Sequence, residues 1–155
     1  DYLKEKIWDP MGMEYPARWI VDNTGMEMAL GGLNITLRDY TRLGILFLNK
    51  GQYGDRQILS EEWVAKSITP DAPHLLPGEN PASSNPFGYG YQWWIPVQQS
   101  GGDFFAAGIY NQYIYVNPEK DLVIAKTSAN PNFTSKSDHS KINYIDLFQT
   151  IARGL

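Results

Sequence analysis

The sequence predicts an α+β fold, and three observations carry the prediction. Helical periodicity is confined to the first half of the chain and to its C-terminal end. Between them lies a block of aromatic and β-branched segments. Tight connections, one of them Asn117-Pro118-Glu119-Lys120-Asp121, separate those segments. Helices and strands segregated along a chain favour antiparallel strands with a helix packed across them. The 155 residues suit about one domain. A 43% apolar content with a net charge of −4 allows a core and argues against disorder.

The elements follow in order. Tyr2, Leu3, Ile7 and Trp8 recur at helical spacing, and Pro10 ends that helix because proline disfavours helical geometry in the residue before it. A helix already under way at the first residue predicts a chain cut from something longer; an ordinary uncapped terminal helix is the alternative. Met11 to Gly32 reads as irregular. Thr36 caps the next helix, with Asp39 three residues on, an apolar stripe of Leu37, Tyr40, Leu43, Phe47 and Leu48, and Gly51 past its end. A short helix starts after Ser60, with Glu61 and Glu62 where the helix dipole favours anions, and stops at Pro70. Thr69 to Pro86 carries five prolines and reads as a loop. Strands are expected over Gly88 to Ile95, Phe104 to Val116 and Leu122 to Thr127. A helix follows from about Lys141, with Ile142, Ile145, Phe148 and Ile151 on one face and Asp138 and His139 in its cap region. Residues 1–87 thus form part of a helical region with a Pro-rich loop. Residues 88–155 supply antiparallel strands and the C-terminal helix, and the two together make one incomplete domain. One helix covers one sheet face, so the other is expected to be covered by something outside this chain.

Composition excludes several chemistries. There is no cysteine, and His74 and His139 are the only histidines, so no Cys-ligated or multi-histidine metal site and no cofactor is expected. A mildly acidic chain without a basic cluster does not suit nucleic acid, where Lys and Arg neutralise phosphates. No apolar run approaches the ~20 residues needed to span a bilayer. The compartment is open between cytoplasm and periplasm.

One ordered set of motifs goes further. Gly31-Gly32-Leu33-Asn34-Ile35-Thr36-Leu37-Arg38-Asp39-Tyr40-Thr41-Arg42-Leu43-Gly44 resembles the GG-x-x-x-T-x-x-D-x-x-R-x-G segment of β-lactamase-related serine hydrolases. Ile58 to Val64, Gly88-Tyr89-Gly90-Tyr91-Gln92-Trp93-Trp94, and Ala106 to Pro118 with Asp121 to Ala125 resemble later segments of that family in the same order. The pattern is most similar to class C-like members of the 6-aminohexanoate-dimer hydrolase and esterase type.

The resemblance implies the C-terminal portion of a penicillin-recognising fold and an acyl-transfer enzyme. Its nucleophilic serine lies in a Ser-x-x-Lys motif, assisted by a Tyr-x-Asn tyrosine, and both are expected outside this chain. No lysine here has a serine three positions before it. The implied partner is therefore the N-terminal part of the same protein, and the isolated chain is expected to be inactive. The family's Lys-Thr-Gly strand motif falls on Ala106-Ala107-Gly108. Ile109 next to it then offers its backbone N–H to the oxyanion hole, with Ala106, Ala107, Gly108, Tyr110 and Trp94 bordering substrate. The competing reading is a small-residue strand packed under a helix, with Tyr110 and Trp94 as buried bulk. Two alanines offer neither cation nor hydroxyl to a β-lactam carboxylate, so a small ester or amide is the expected substrate. A non-catalytic binding module for carbohydrate or peptide, using Trp93, Trp94 and the surrounding tyrosines as an aromatic platform, is the alternative function.

Overall fold

The structure is a computed structural model and describes residues 2–28, 31–81, 85–135 and 140–155. Asp138 and His139, expected in the cap of the last helix, lie outside the described residues. The N-terminal segment forms a π-helical turn, Lys4–Trp8, in which the Asp9 N–H donates to the Lys4 carbonyl. Two short strands, β1 (Arg18–Trp19) and β2 (Leu33–Asn34), pair antiparallel and lead into α1 (Leu37–Leu48). Thr36 caps α1 as expected. Its hydroxyl accepts from the Asp39 N–H and donates to the Asp39 carboxylate at 2.8 Å. A hairpin of β3 (Gln52–Tyr53) and β4 (Arg56–Gln57) connects to α2 (Glu61–Ser67), capped by Ser60. The proline-rich stretch contains a single 3-10 turn, Pro73–Leu75.

The second half is a five-stranded antiparallel meander in chain order: β5 (Gly88–Tyr89), β6 (Trp94–Ile95), β7 (Phe104–Gly108), β8 (Gln112–Asn117) and β9 (Leu122–Lys126). The helix α3 (Ser140–Arg153) closes it. Two of the expected strands are hairpins. Gly88 to Ile95 turns back between β5 and β6, where Gln92 takes a φ of 68° and the Gly90 N–H donates to the Trp93 carbonyl. Phe104 to Val116 turns at Ile109, Tyr110 and Asn111. The β7–β8 register pairs Phe104 with Val116 and Gly108 with Gln112.

Both sheet faces are covered from within this chain, which corrects the expectation of an open one. On one face Trp93, Ile95, Phe104, Ile114 and Val116 pack against Tyr40, Leu43, Phe47 and Leu48 of α1. On the other, Phe105, Tyr113 and Tyr115 pack against Ile145, Phe148 and Ala152 of α3. Burying a side chain of this size contributes about 1.5–3 kcal/mol. The helix was missed as a cover because it lies some 40 residues before the sheet in sequence, whereas sequential elements are the default neighbours. Gly44 makes the contact possible. A Cβ there would lie 2.5 Å from Val123 Cγ1 and 2.8 Å from Ile114 Cγ2.

The helix faces also shift from expectation. Leu37 points outward at 45% exposure while Leu46, outside the expected stripe, is buried. Along α3 the buried row is Ile145, Phe148, Gln149 and Ala152, and Ile142 and Ile151 face solvent. Among the described residues no helix is long and apolar enough to cross a membrane.

Candidate active site

The two ends of the β7–β8 hairpin differ in chemistry. At the start of β7, Asp103 is fully buried. It accepts from the Ser100 N–H at 2.8 Å, the Tyr115 hydroxyl at 2.9 Å and the Gln149 amide at 2.8 Å. Asn117 donates to the Ser100 carbonyl and to the Tyr115 oxygen. A carboxyl group can be held dry in this way because donors occupy its lone pairs. Gln149 therefore fixes the far end of α3 to the sheet, and α3 runs antiparallel to β7.

Tyr115-Val116-Asn117 does spell Tyr-x-Asn, contrary to the expectation that the motif lies elsewhere. The structure removes it from the chemistry. Tyr115 is fully buried, and burial, with the Asp103 carboxyl group beside it, holds its phenol above the ordinary tyrosine range. A phenol so placed neither reaches a substrate nor gives up its proton.

At the opposite end the chain turns through Ile109, Tyr110 and Asn111. Tyr110 and Asn111 have φ of 60° and 64°. They are the only adjacent pair of non-glycine residues in the left-handed region among the described residues. A bulky aromatic residue there is strained by about 1–3 kcal/mol, and such strain persists only where surrounding contacts hold it. Three contacts do. Lys126 Nζ donates to the Asn111 carbonyl at 3.1 Å, and the Asn130 N–H donates to the Tyr110 carbonyl at 3.3 Å. The Tyr110 ring meets Phe133 edge-on at 5.0 Å.

Three of the six residues singled out in the sequence come together here. Gly108 is exposed, Ile109 is 56% exposed and Tyr110 is 43% exposed. Ile109 lies beyond the last ladder pair, Gly108 with Gln112. Its N–H donates to no backbone carbonyl among the described residues. A Cβ on Gly108 would touch only Gln112, so the strand end is open above the glycine. Ala106 and Ala107 are half-buried and point to opposite faces, one toward the α1-side cluster and one toward the α3-side cluster.

Trp94 is not brought to the turn. It packs in the α3-side cluster, 4.6 Å from Tyr89, with the Lys141 ammonium 3.8 Å above its ring. Burial lowers the Lys141 pKa. Trp93 is 6% exposed and sits between Phe47 and Phe104. Neither tryptophan forms an open platform; of the tyrosines beside them Tyr91 is 41% exposed, its ring 5.6 Å from that of Trp63. A cleft of about 620 Å³ lies elsewhere, between Tyr2, Ile7 and Pro10 and the Arg56–Leu59 segment. Among the described residues no cluster of acidic or histidine side chains could hold a metal ion.

Sequence reasoning missed the tethers of this turn: Lys126, Asn130 and Phe133. The available signal was Asn111, a residue type that tolerates left-handed φ, following Gly108 in an otherwise β-prone run.

The comparisons with known proteins agree with the resemblance read from the motifs. The 6-aminohexanoate-dimer hydrolase of Paenarthrobacter ureafaciens is 29% identical over 138 residues, covering 88% of this chain and 35% of that protein. A Bacillus anthracis protein assigned as a 6-aminohexanoate-dimer hydrolase superposes with a TM-score of 0.82 at 31% identity. That match covers 99% of this chain and 38% of the other. A β-lactamase assigned in Bacteroides dorei DSM 17855 shares the fold at a TM-score of 0.55 and 22% identity, over 82% of this chain and 43% of that one. The chain thus spans little more than a third of the length of its hydrolase relatives. The Beta-lactamase family model matches residues 1–146, and the chain belongs to that family.

Proposed function

We propose that this chain forms the oxyanion-hole wall of a serine acyl hydrolase that cleaves small esters or amides through an acyl-enzyme. The observation that carries the reading is the Ile109 amide. It belongs to a residue that is 56% exposed, lies past the end of β7 beside an open glycine, and donates to no backbone carbonyl among the described residues.

In this reading the attacking serine gives its hydroxyl proton to a base of its own element as its oxygen adds to the substrate carbonyl. That proton later passes to the leaving alcohol or amine, and the carbonyl oxygen takes up negative charge. The Ile109 N–H donates to that oxygen together with the amide of the nucleophile itself. One such donor is worth about 3 kcal/mol in the transition state. Collapse expels the alcohol or amine, and water then hydrolyses the acyl-serine under the same two donors. The serine belongs to a Ser-x-x-Lys element carried by a part of the protein other than these 155 residues, none of which form that motif. The partial coverage of the relatives supports this division. Ala106 and Ala107 offer no cation or hydroxyl, which favours an uncharged ester or amide over a β-lactam.

A fluorophosphonate probe tests the proposal. Applied to the full-length gene product, it should label a single serine outside residues 1–155 and abolish p-nitrophenyl ester turnover. The isolated 155-residue chain should neither label nor turn over. Label on a serine within this sequence, or ester turnover by the isolated chain at ordinary enzyme rates, overturns the division of the site.

A further inference from the structure

We infer that Lys126 is a positioning residue for the oxyanion-hole turn. It holds the strained Tyr110-Asn111 pair so that the Ile109 N–H keeps its place at the open end of β7. The inference rests on the proposed role of Ile109 and adds a residue to it.

The argument begins with the sheet register. Lys126 is the last residue of β9 and pairs with Tyr113, which pairs in turn with Ala107. The three lie in one row across the sheet, one step inside the turn. From that position the ammonium reaches over the sheet end and donates to the Asn111 carbonyl at 3.1 Å. Its approach is fixed by aromatic rings. Nζ lies 4.2 Å from the Tyr144 centroid and 6.0 Å from that of Tyr113, distances at which a cation is attracted to the ring face. Tyr113 is itself buried, and its hydroxyl donates to the Asn111 side chain at 3.3 Å.

Lys126 takes part in none of the six ion pairs among the described residues, so no carboxylate there draws its charge away from the carbonyl. The geometry thus assigns a donor to a turn that needs one. A hairpin turn accommodates two consecutive left-handed residues, but a tyrosine in one of those positions is disfavoured and depends on the contacts around it. Rotation of the Tyr110-Asn111 peptides would swing the preceding N–H, that of Ile109, with them. A misplacement of about 1 Å in a reacting geometry costs up to about a hundredfold in rate.

Lys126→Met tests this in the full-length protein, because it keeps an unbranched aliphatic side chain and removes the donor. The expected result on a p-nitrophenyl ester is a kcat lowered about tenfold, with KM changed by less than about twofold. A boronic acid that places an oxygen in the oxyanion hole should lose affinity by the same factor. Hydrogen exchange at the amides of residues 109–111 should accelerate. Lys126→Arg should restore most of kcat, and Lys120→Met, on the exposed turn at the other end of β9, should match the wild type.

Wild-type kcat in Lys126→Met overturns the inference. So does a loss of kcat that follows the melting temperature and is not rescued by arginine. The two levels separate cleanly. A wild-type protein without acyl-ester turnover, or one indifferent to Ile109→Pro, removes the oxyanion reading and this inference with it. Sensitivity to Ile109→Pro alongside an unaffected Lys126→Met removes only the inference.

Discussion

The two ends of the β7–β8 hairpin are built from similar residue types and arranged to opposite effect. At the Asp103 end a carboxyl group, a phenol, two carboxamides and a backbone N–H satisfy one another out of solvent. At the Ile109 end an amide is left without a backbone acceptor among the described residues, the backbone is strained, and Ile109 and Tyr110 are exposed. The contrast teaches that one pair of strands can carry a sealed polar network at one end and an open, exposed turn at the other. A closed polar network anchors α3 and the sheet at one end, while the turn at the other end is held by contacts of its own.

The sharpest way to break the comparison is to open the sealed end. Asp103→Ala strands the Tyr115 hydroxyl, the Ser100 N–H and one partner of Gln149. It should lower stability by about 3–5 kcal/mol in urea unfolding of the full-length protein. The kcat of the molecules that remain folded should change little. A small stability loss with a large loss of kcat would show that the two ends are not separate.

The complementary change is Ile109→Pro. With circular dichroism and melting temperature unchanged, it should lower kcat about a hundredfold, equivalent to about 3 kcal/mol, by removing the donor. An unchanged rate in a folded protein would deny the turn its chemistry. The smallest effect is expected at the contact that seats the sheet on α1. Gly44→Ala forces a methyl group against Val123 and Ile114. It should cost about 1–2 kcal/mol, because overpacking outweighs the gain of about 1 kcal/mol in helix propensity. Thermal unfolding reads the shift. Increased stability would mean that α1 has room to move away from the sheet.

Much of this fold was legible in local chemistry. The Thr36 and Ser60 caps, the left-handed Gly51 and the Asn117–Asp121 connection are short-range effects, and each is found where it was expected. The two sheet faces were also legible, although Phe104 to Val116 was read as one strand. The reason is arithmetic: in this register paired residues share parity, so alternation continues unbroken through the three-residue turn. For the same reason the pattern could not disclose the turn. Tyr110 and Asn111 sit in a β-prone run, and nothing in their own identities says that Lys126 and Phe133 will gather around them.

The family-like segment from Gly31 to Gly44 was legible as a pattern but not as a cause. In the structure Asp39 accepts from the Glu14 N–H and from Arg42, and Arg42 pairs with Glu14 at 2.7 Å. Burial pushes the Asp39 carboxyl upward, and these hydrogen bonds more than offset it, leaving its pKa lowered. The Thr, Asp, Arg and Gly of that segment therefore place α1 rather than perform chemistry.

The hold of Gln149 on Asp103 and on the Gln98 carbonyl also bears on how the chain is made. Phe105, Tyr113 and Tyr115 are synthesised well before the helix that shelters them. On the ribosome they form a greasy, unprotected surface until the closing helix emerges. A translation product halted near residue 139 would carry that surface into the cell, as a natural substrate for chaperones or a seed for aggregation.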